Sequence, residues 1–422
     1  MKESAKKKGF QTALLTPFDT GNIGTVLQAY ATQTLIQENG YQNDLIYFHY
    51  DAIQNPFLLS NLKKRGIKKY VGSIAGFLLR YPAQKNLWKF IHRHIRLTNP
   101  VSHTDLKKMA EIYDLIVVGS DCVWNGDAFE LETAYLLDFV NDSNKKGNFA
   151  SSFACDDIPA EQRPVFAKYL SLFPMLSVRE KRGKELIQAL TGKEAQVVLD
   201  PTLTRTSSFW KDIIQESRLK IEKEYIFVAE YAISSALMND AIKMSKEKNL
   251  PIYCLYPPKG RKTIAKTFLR AAPEDVLYLL SHASYIFTDS YHMMIFSINF
   301  NKEFFAYRTV TNIPAISKYD SILECLNLEN RLFHTEKTST NEIDITAMPP
   351  IEYGRVNQIL KKERERSVQF LLTMLSEANR KSTKNDNRKS VRGGGALCES
   401  ALFERTICLS GLTITAPKGA AA

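Results

Sequence analysis

Between Ala52 and Thr104 the chain has no aspartate and no glutamate. That interval instead carries Lys63, Lys64, Arg65, Lys68, Lys69, Arg80, Lys85, Lys89, Arg93 and Arg96, so the net charge of +11 is concentrated rather than spread. No RNP, helix-turn-helix or zinc-knuckle pattern accompanies the charge, and nucleic acid is not an expected partner. No run of eighteen apolar residues occurs, which excludes a hydropathy-defined spanning helix. The basic start MKESAKKKGF is followed by no apolar stretch, so no secretory signal is expected. The six cysteines, at 122, 155, 254, 325, 398 and 408, form no CxxC pair and no disulfide-framework spacing. Reduced thiols in a cytoplasmic protein are expected. There is no Gx4GK[ST] loop, no GxGxxG after the first strand and no GxSxG elbow. His92 and His94 have no acid or cysteine near them in sequence, and no metal site is expected.

What is present is an ordinary globular composition, 44% apolar and 24% charged over 422 residues, enough for two cores. In TPFDTGNIGTVLQAYATQTL (16–35) the apolar run Ala13 to Leu15 breaks at Pro17 and passes Gly21 and Gly24. Val26, Leu27, Tyr30, Ala31, Thr34 and Leu35 then recur at helical spacing. Such a strand, turn and helix offers backbone N–H groups and a helix dipole to an anion. Strands are expected at 44–50, 113–121, 147–154, 175–180 and 195–201, with a helix over 160–172. A second set has strands at 225–232, 251–257, 284–292 and 303–308 and helices at 234–248 and from Pro273. This alternation predicts an α/β fold of two Rossmann-like, doubly wound domains, with ligands at the carboxyl ends of the strands. The expected division is 1–200 and 201–330, with Asp200-Pro201 as a hinge, a helical region over 331–378 and a disordered tail over 379–422. Helices are expected at 317–330 and 352–377.

The basic segment, 61–97, admits two readings. It is either a surface for an anionic membrane leaflet, at about 1 kcal/mol per basic residue, or a helix pair with a solvated basic face. In the first reading Tyr70, Phe77, Leu78, Leu79, Trp88 and Phe90 supply the apolar contact.

Polar clusters stand at four strand ends: Asn22 with Gly24 and Gln28; Gly119, Ser120, Asp121, Trp124 and Asn125; Ser177, Arg179 and Glu180; and Thr288, Asp289, Ser290, Tyr291 and His292. His292 begins an apolar helix beside the crevice, and Asp289 is placed to orient its ring for acid-base work. Arg179 is either an ion-pair partner of Glu180 or Asp200, or a bidentate grip on a carboxylate or phosphate. Nothing in the sequence suggests a lowered pKa for Cys122.

In this order, GNIGTVLQAYATQ, GSDCVWN, SVRE, DPT and TDSYHM resemble the signatures of the polysaccharide pyruvyl transferase family, from about Thr12 to Leu328. The resemblance implies a GT-B-like arrangement of the two domains, with phosphoenolpyruvate as co-substrate and no cofactor. The acceptor it implies is a sugar of a glycan or lipid-linked precursor, the product a cyclic pyruvate ketal, and the setting exopolysaccharide or capsule biosynthesis. A donor bearing a carboxylate and a phosphate needs cations and helix N-termini around it. His292 would be the general acid and Arg179 the anion clamp. Arg308 would be a second clamp, and Asn22, Gly24, Gln28, Gly119, Ser120, Asp121, Trp124, Asn125, Asp289 and Ser290 would line the substrate site. Two departures stand out: Met293 where the family commonly has glycine, narrowing the cleft, and Cys122 where it has glutamine. The alternatives are a GT-B nucleotide-sugar glycosyltransferase, or a binding protein whose site has been disabled.

Overall fold

The first half is built on β1 (Gln11–Leu15), β2 (Gln42–Leu45), β3 (Leu115–Val118) and β4 (Lys146–Asn148), all parallel in the order β2-β1-β3-β4. Strands β5 (Ser177–Val178) and β6 (Gln196–Val197) continue it through single bridges from Ser151 to Asp121 and to Val178. The four residues of β3, LIVV, are buried on both faces, as a parallel strand covered by helices requires. The second half has β7 (Ile226–Ala229), β8 (Ile252–Cys254), β9 (Ala265–Thr267), β10 (Tyr285–Thr288), β11 (Glu303–Arg308) and β12 (Leu332–His334). These are parallel in the order β12-β11-β10-β7-β8-β9. Both sheets are doubly wound, with switch points between β1 and β3 and between β7 and β10, where the connections leave to opposite sides and open a crevice. The computed structural model describes residues 9–48, 67–125, 132–229, 235–255, 265–308, 316–334 and 344–392. Met1–Ser382 is one compact unit and Thr383–Ala422 another.

Helix α1 (Ile23–Glu38) starts at Asn22, whose Oδ1 accepts the Gly24 N–H at 2.9 Å. Its buried residues include Thr25, Gln28, Thr32 and Gln33 as well as Val26, Leu27 and Leu35, so burial runs beyond the expected apolar face. A helix covered on nearly all sides needs no amphipathic stripe. Helix α2 (Ile67–His94) is a single helix with Pro82 inside it, not a pair. Leu87, Phe90 and Ile91 lie in the core, and Trp88 packs edge-on against Phe18 at 6.1 Å. Phe90 is therefore a core residue, and Trp88 is half-buried against the core. Lys85, Lys89, Arg93 and Arg96 are exposed, with Arg93 paired to Glu216 at 2.6 Å and Arg96 to Asp44 at 2.9 Å. Residues 61–66 and the side chains of Tyr70, Phe77, Leu78 and Leu79 lie outside the description. Among the described residues, no helix is long and apolar enough to cross a membrane.

Between the sheets and after them come α3 (Leu106–Ile112), α4 (Arg163–Leu170), α5 (Lys181–Thr191), α6 (Pro201–Thr204), α7 (Ser207–Gln215), α8 (Ser235–Lys248), α9 (Pro273–His282), α10 (Tyr291–Asn299) and α11 (Ile316–Leu326). The last helix, α12, spans Tyr353–Arg392 and so continues past the end expected at 377. Helix replaces the disorder expected from 379 to 392, and Ser382 Oγ donates to Asp114 Oδ1 at 3.2 Å. Residues 393–422 lie outside the description. One apolar cluster contains Leu14 and Val117 of the first sheet, Phe227 and Ile286 of the second, and Leu360 and Leu371 of α12. The two Rossmann-like halves thus share a core.

Candidate active site

Parts of all four strand-end clusters meet. Arg179, just beyond β5, is fully buried and donates from Nη1 to Asp200 Oδ2 at 2.6 Å. The same oxygen accepts from Ser120 Oγ at 3.3 Å and lies 3.8 Å from His292 Nε2. Asp200 Oδ1 accepts from the backbone N–H of Thr202 at 2.9 Å and from its hydroxyl at 2.7 Å. Asp121, beyond β3, closes the group, with Oδ1 3.9 Å from Arg179 Nη2 and Oδ2 accepting from Thr25 Oγ1 at 2.7 Å. Its backbone is left-handed, φ 79°, a conformation that costs a non-glycine residue on the order of 1–3 kcal/mol and gathers at functional sites. Arg179 Nε and Nη2 and His292 Nε2 are buried with no hydrogen-bond partner. The two unused Arg179 donors in this buried cluster are where a polar ligand gains most.

Helix α10 brings in His292. Ser290 caps it, its Oγ accepting the Met293 N–H at 3.5 Å, which places the imidazole one residue into the helix and against the start of α1. A β-carbon at Gly24 would lie 2.3 Å from His292 Cγ and Nδ1. The glycine is what lets the ring lie there. Gly24→Ala is expected to displace the ring, lower turnover at least tenfold and cost about 1–3 kcal/mol of stability, because the clash is with the base of a buried side chain. Parallel activity and melting measurements check this. Unaltered turnover would mean that the ring's position is not set by Gly24.

Electrostatics separate the roles. Burial pushes His292 below its ordinary value, and Arg179 and Lys318 push the same way, against Asp200 and Asp121. The resting imidazole is neutral near pH 7. Burial alone would raise the Asp121 and Asp200 carboxyls. For Asp121 the charges of His292, Arg179 and Lys318 outweigh it, and for Asp200 those of Arg179 and His292, so both stay ionised. Arg179 is held protonated despite its burial, chiefly by Asp200. Lys318, in α11, stands 3.6 Å from Cys122 Sγ and over the Tyr291 ring, 5.3 Å from its centroid, while the Arg179 guanidinium lies 5.0 Å from the same centroid. Burial raises the Cys122 thiol, Lys318 only partly offsetting it, which makes this cysteine a poor nucleophile.

Other expected site residues have structural duties. Trp124 is fully buried, donates from Nε1 to the Tyr135 carbonyl at 2.9 Å and packs on Phe153, so it belongs to the core and not to the cleft. Gln28 spends its amide N–H groups on Thr16 Oγ1 and the Thr25 carbonyl. Gly119 is needed because a β-carbon there would lie 2.7 Å from Thr16. Asn125 donates to the Ala154 carbonyl at 3.3 Å, and Asn22 is a helix cap. Arg308, expected as a second clamp, pairs with Asp320 at 2.6 Å. The carboxylate at ion-pair distance from His292 is Asp200 and not Asp289, whose backbone carbonyl accepts from Tyr319 Oη at 2.9 Å. Asp200, placed at the expected seam, has its carboxylate held by Thr202, Arg179 and Ser120. Met293 is fully buried in the core, so it does not narrow the cleft. Glu180 turns inward, its Oε1 accepting from Ser152 Oγ and the Phe153 N–H. His92 stacks on Trp88 at 5.5 Å and His94 pairs with Glu216 at 3.2 Å. Among the described residues no His, Cys, Asp and Glu group is arranged to hold a metal ion. Sequence reading passed over Lys318, which sits in no motif. It named Asp200 as a candidate partner of Arg179, which it is, but not as a neighbour of His292.

Solved structures with similar folds include a UDP-GlcNAc 2-epimerase from Methanocaldococcus jannaschii, at TM-score 0.46 and 10% identity, covering 87% of this chain and 100% of that one. Another is a UDP-GlcNAc 2-epimerase from Neisseria meningitidis, at 0.43 and 9%, covering 88% and 100%. A third is the E. coli ADP-heptose LPS heptosyltransferase II, at 0.38 and 10%, covering 85% and 99%. Comparison with curated proteins gives no match. The family model for polysaccharide pyruvyl transferase matches residues 22–309, an interval that opens at the cap of α1, closes just after β11 and contains Gly24, Asp121, Arg179, Asp200 and His292. With well over half its length matched, and its buried polar centre inside the match, the chain belongs to the polysaccharide pyruvyl transferase family.

Proposed function

We propose that the chain moves the pyruvyl group of phosphoenolpyruvate onto two hydroxyls of one sugar, forming a cyclic ketal and releasing phosphate. The observation that carries this reading is the convergence of Arg179, Lys318 and His292 around Asp121, with two donor atoms of Arg179 unused. Lys318, beside Cys122 and over the Tyr291 ring, is a second cation of the group. His292 gives a proton to the methylene carbon, leaving the phosphate-bearing carbon electron-poor. One sugar hydroxyl bonds to that carbon and its proton returns to the histidine. The second hydroxyl bonds as the carbon–phosphate oxygen bond breaks, and its proton leaves with phosphate. No cofactor takes part in this scheme. A neutral resting histidine must gain its proton when the donor arrives, and the donor's negative charges favour that gain.

The test is phosphate release that requires both phosphoenolpyruvate and a sugar acceptor. At a donor concentration of about 100 times Kd the melting transition should gain about 2.7 kcal/mol. UDP- and GDP-sugars should leave it unmoved. Stabilisation by the nucleotide sugars alone would transfer the assignment to a glycosyltransferase. Binding without turnover would mark a disabled site.

The acceptor in this reading is a glycan or lipid-linked precursor on the cytoplasmic face of a membrane, approached through the basic face of α2. Since Phe90 is a core residue and Trp88 is half-buried against the core, the attraction there is chiefly electrostatic and should weaken as salt shortens its reach below about 8 Å. Sedimentation should show binding to anionic vesicles and none to neutral ones. Equal, negligible binding to both would leave the basic face merely solvated.

A further inference from the structure

We propose that Asp200 is the positioning residue of His292, holding Nε2 so that Nδ1, beside Gly24, is the nitrogen that exchanges a proton with substrate. The inference rests on the reading above for what the proton does, but its geometry stands apart from any substrate.

Asp200 is anchored more firmly than any ligand-facing carboxylate would need to be. Thr202 occupies Oδ1 twice, while Arg179 and Ser120 occupy Oδ2, leaving the carboxylate no freedom to rotate. Pro201, at the first helical position of α6, presets the backbone that directs the Thr202 N–H back to it. His292 Nε2 is buried, and Asp200 Oδ2 at 3.8 Å is the acceptor it faces. A charged ring strengthens such a contact with a carboxylate. Nδ1 lies on the Gly24 side of the ring, where a β-carbon would come within 2.3 Å of it, and unlike Nε2 it is not among the buried atoms without a partner. The remaining charged groups around the ring are Asp121, Arg179 and Lys318. Thr25 and the Cys122 N–H hold the Asp121 carboxylate, so it does not compete for Nε2. The Tyr291 ring meets the imidazole edge-on, at 5.5 Å between centroids, and offers it no hydrogen bond. Fixing the far nitrogen of a histidine sets which tautomer is present, and a wrong tautomer disables an otherwise intact site.

Two measurements decide the matter. In protein labelled with ¹⁵N-histidine, at a pH where the rings are neutral, the His292 signals (assigned by their loss in His292→Gln) should show a proton on Nε2 and none on Nδ1. The opposite tautomer would overturn the proposal, and this arm needs neither substrate nor a folded Asp200 variant. In Asp200→Asn, kcat should fall on the order of 10²-fold. Its alkaline limb should also move to lower pH, because the charge favouring the protonated ring is gone. A folded variant whose limb stays in place would show that Asp200 only supports Arg179. If the wild type fails to release phosphate from phosphoenolpyruvate, the functional reading falls, while the tautomer still judges this proposal.

Discussion

His292→Gln is expected to lower turnover by roughly 10²–10⁴-fold with the fold intact. The ring sits inside the convergence of Arg179, Asp121 and Asp200, with Nε2 3.8 Å from Asp200 and with its proton affinity lowered chiefly by burial. A second readout separates catalysis from structure. The folded protein holds this imidazole below its ordinary value of 6.5, so the unfolded chain binds the proton more readily. The wild type therefore loses stability as pH falls through about 6.5 towards the folded value, and the glutamine variant escapes that part of the loss. Calorimetry of donor binding in buffers of different ionisation enthalpy should show proton uptake in the wild type and none in the variant. Full turnover by a folded variant would remove His292 from the reaction.

Arg179→Lys is expected to weaken donor binding by tenfold or more, since the ammonium keeps the charge opposite Asp200 but cannot also present a planar pair of donors. Arg179→Met should do worse: it leaves Asp200 ionised in a fully buried site, at a cost of about 3–5 kcal/mol. Against a total stability of roughly 5–15 kcal/mol that is a visible loss. Donor titration of the lysine variant and denaturant unfolding of the methionine variant check the two effects. If the lysine variant binds the donor as well as the wild type, Arg179 is only the partner of Asp200.

Alternation of apolar strands with helices was enough to read both doubly wound sheets, because parallel strands are buried on both faces and leave continuous apolar runs such as Leu115–Val118. Arg179, His292 and Asp121 were legible for a related reason: each follows a strand, and strand ends are where polar residues escape the core. Three features were not legible. The aromatic residues of α2 look like those of any amphipathic helix until a partner surface is known, and that surface is the core around Phe18 and Tyr47. Helix α12 runs through a polar segment because its contacts upstream, at Leu371, Met374 and Leu375, hold it against the shared core. Trp124 and Asp289 stand in the right motifs, but their side chain and carbonyl respectively serve packing and a hydrogen bond to Tyr319.

By itself the sequence determined the fold class, the order of its elements and the residue types that gather at the strand ends, since these depend on local periodicity and on motifs read in series. Only the tertiary structure decided which carboxylate lies at ion-pair distance from His292, that Lys318 stands with Arg179 over the Tyr291 ring, and that Gly24 makes room for the imidazole. Each of those depends on distances between residues far apart in the chain, such as His292 with Asp200 and Lys318 with Cys122, and no local pattern encodes such a distance.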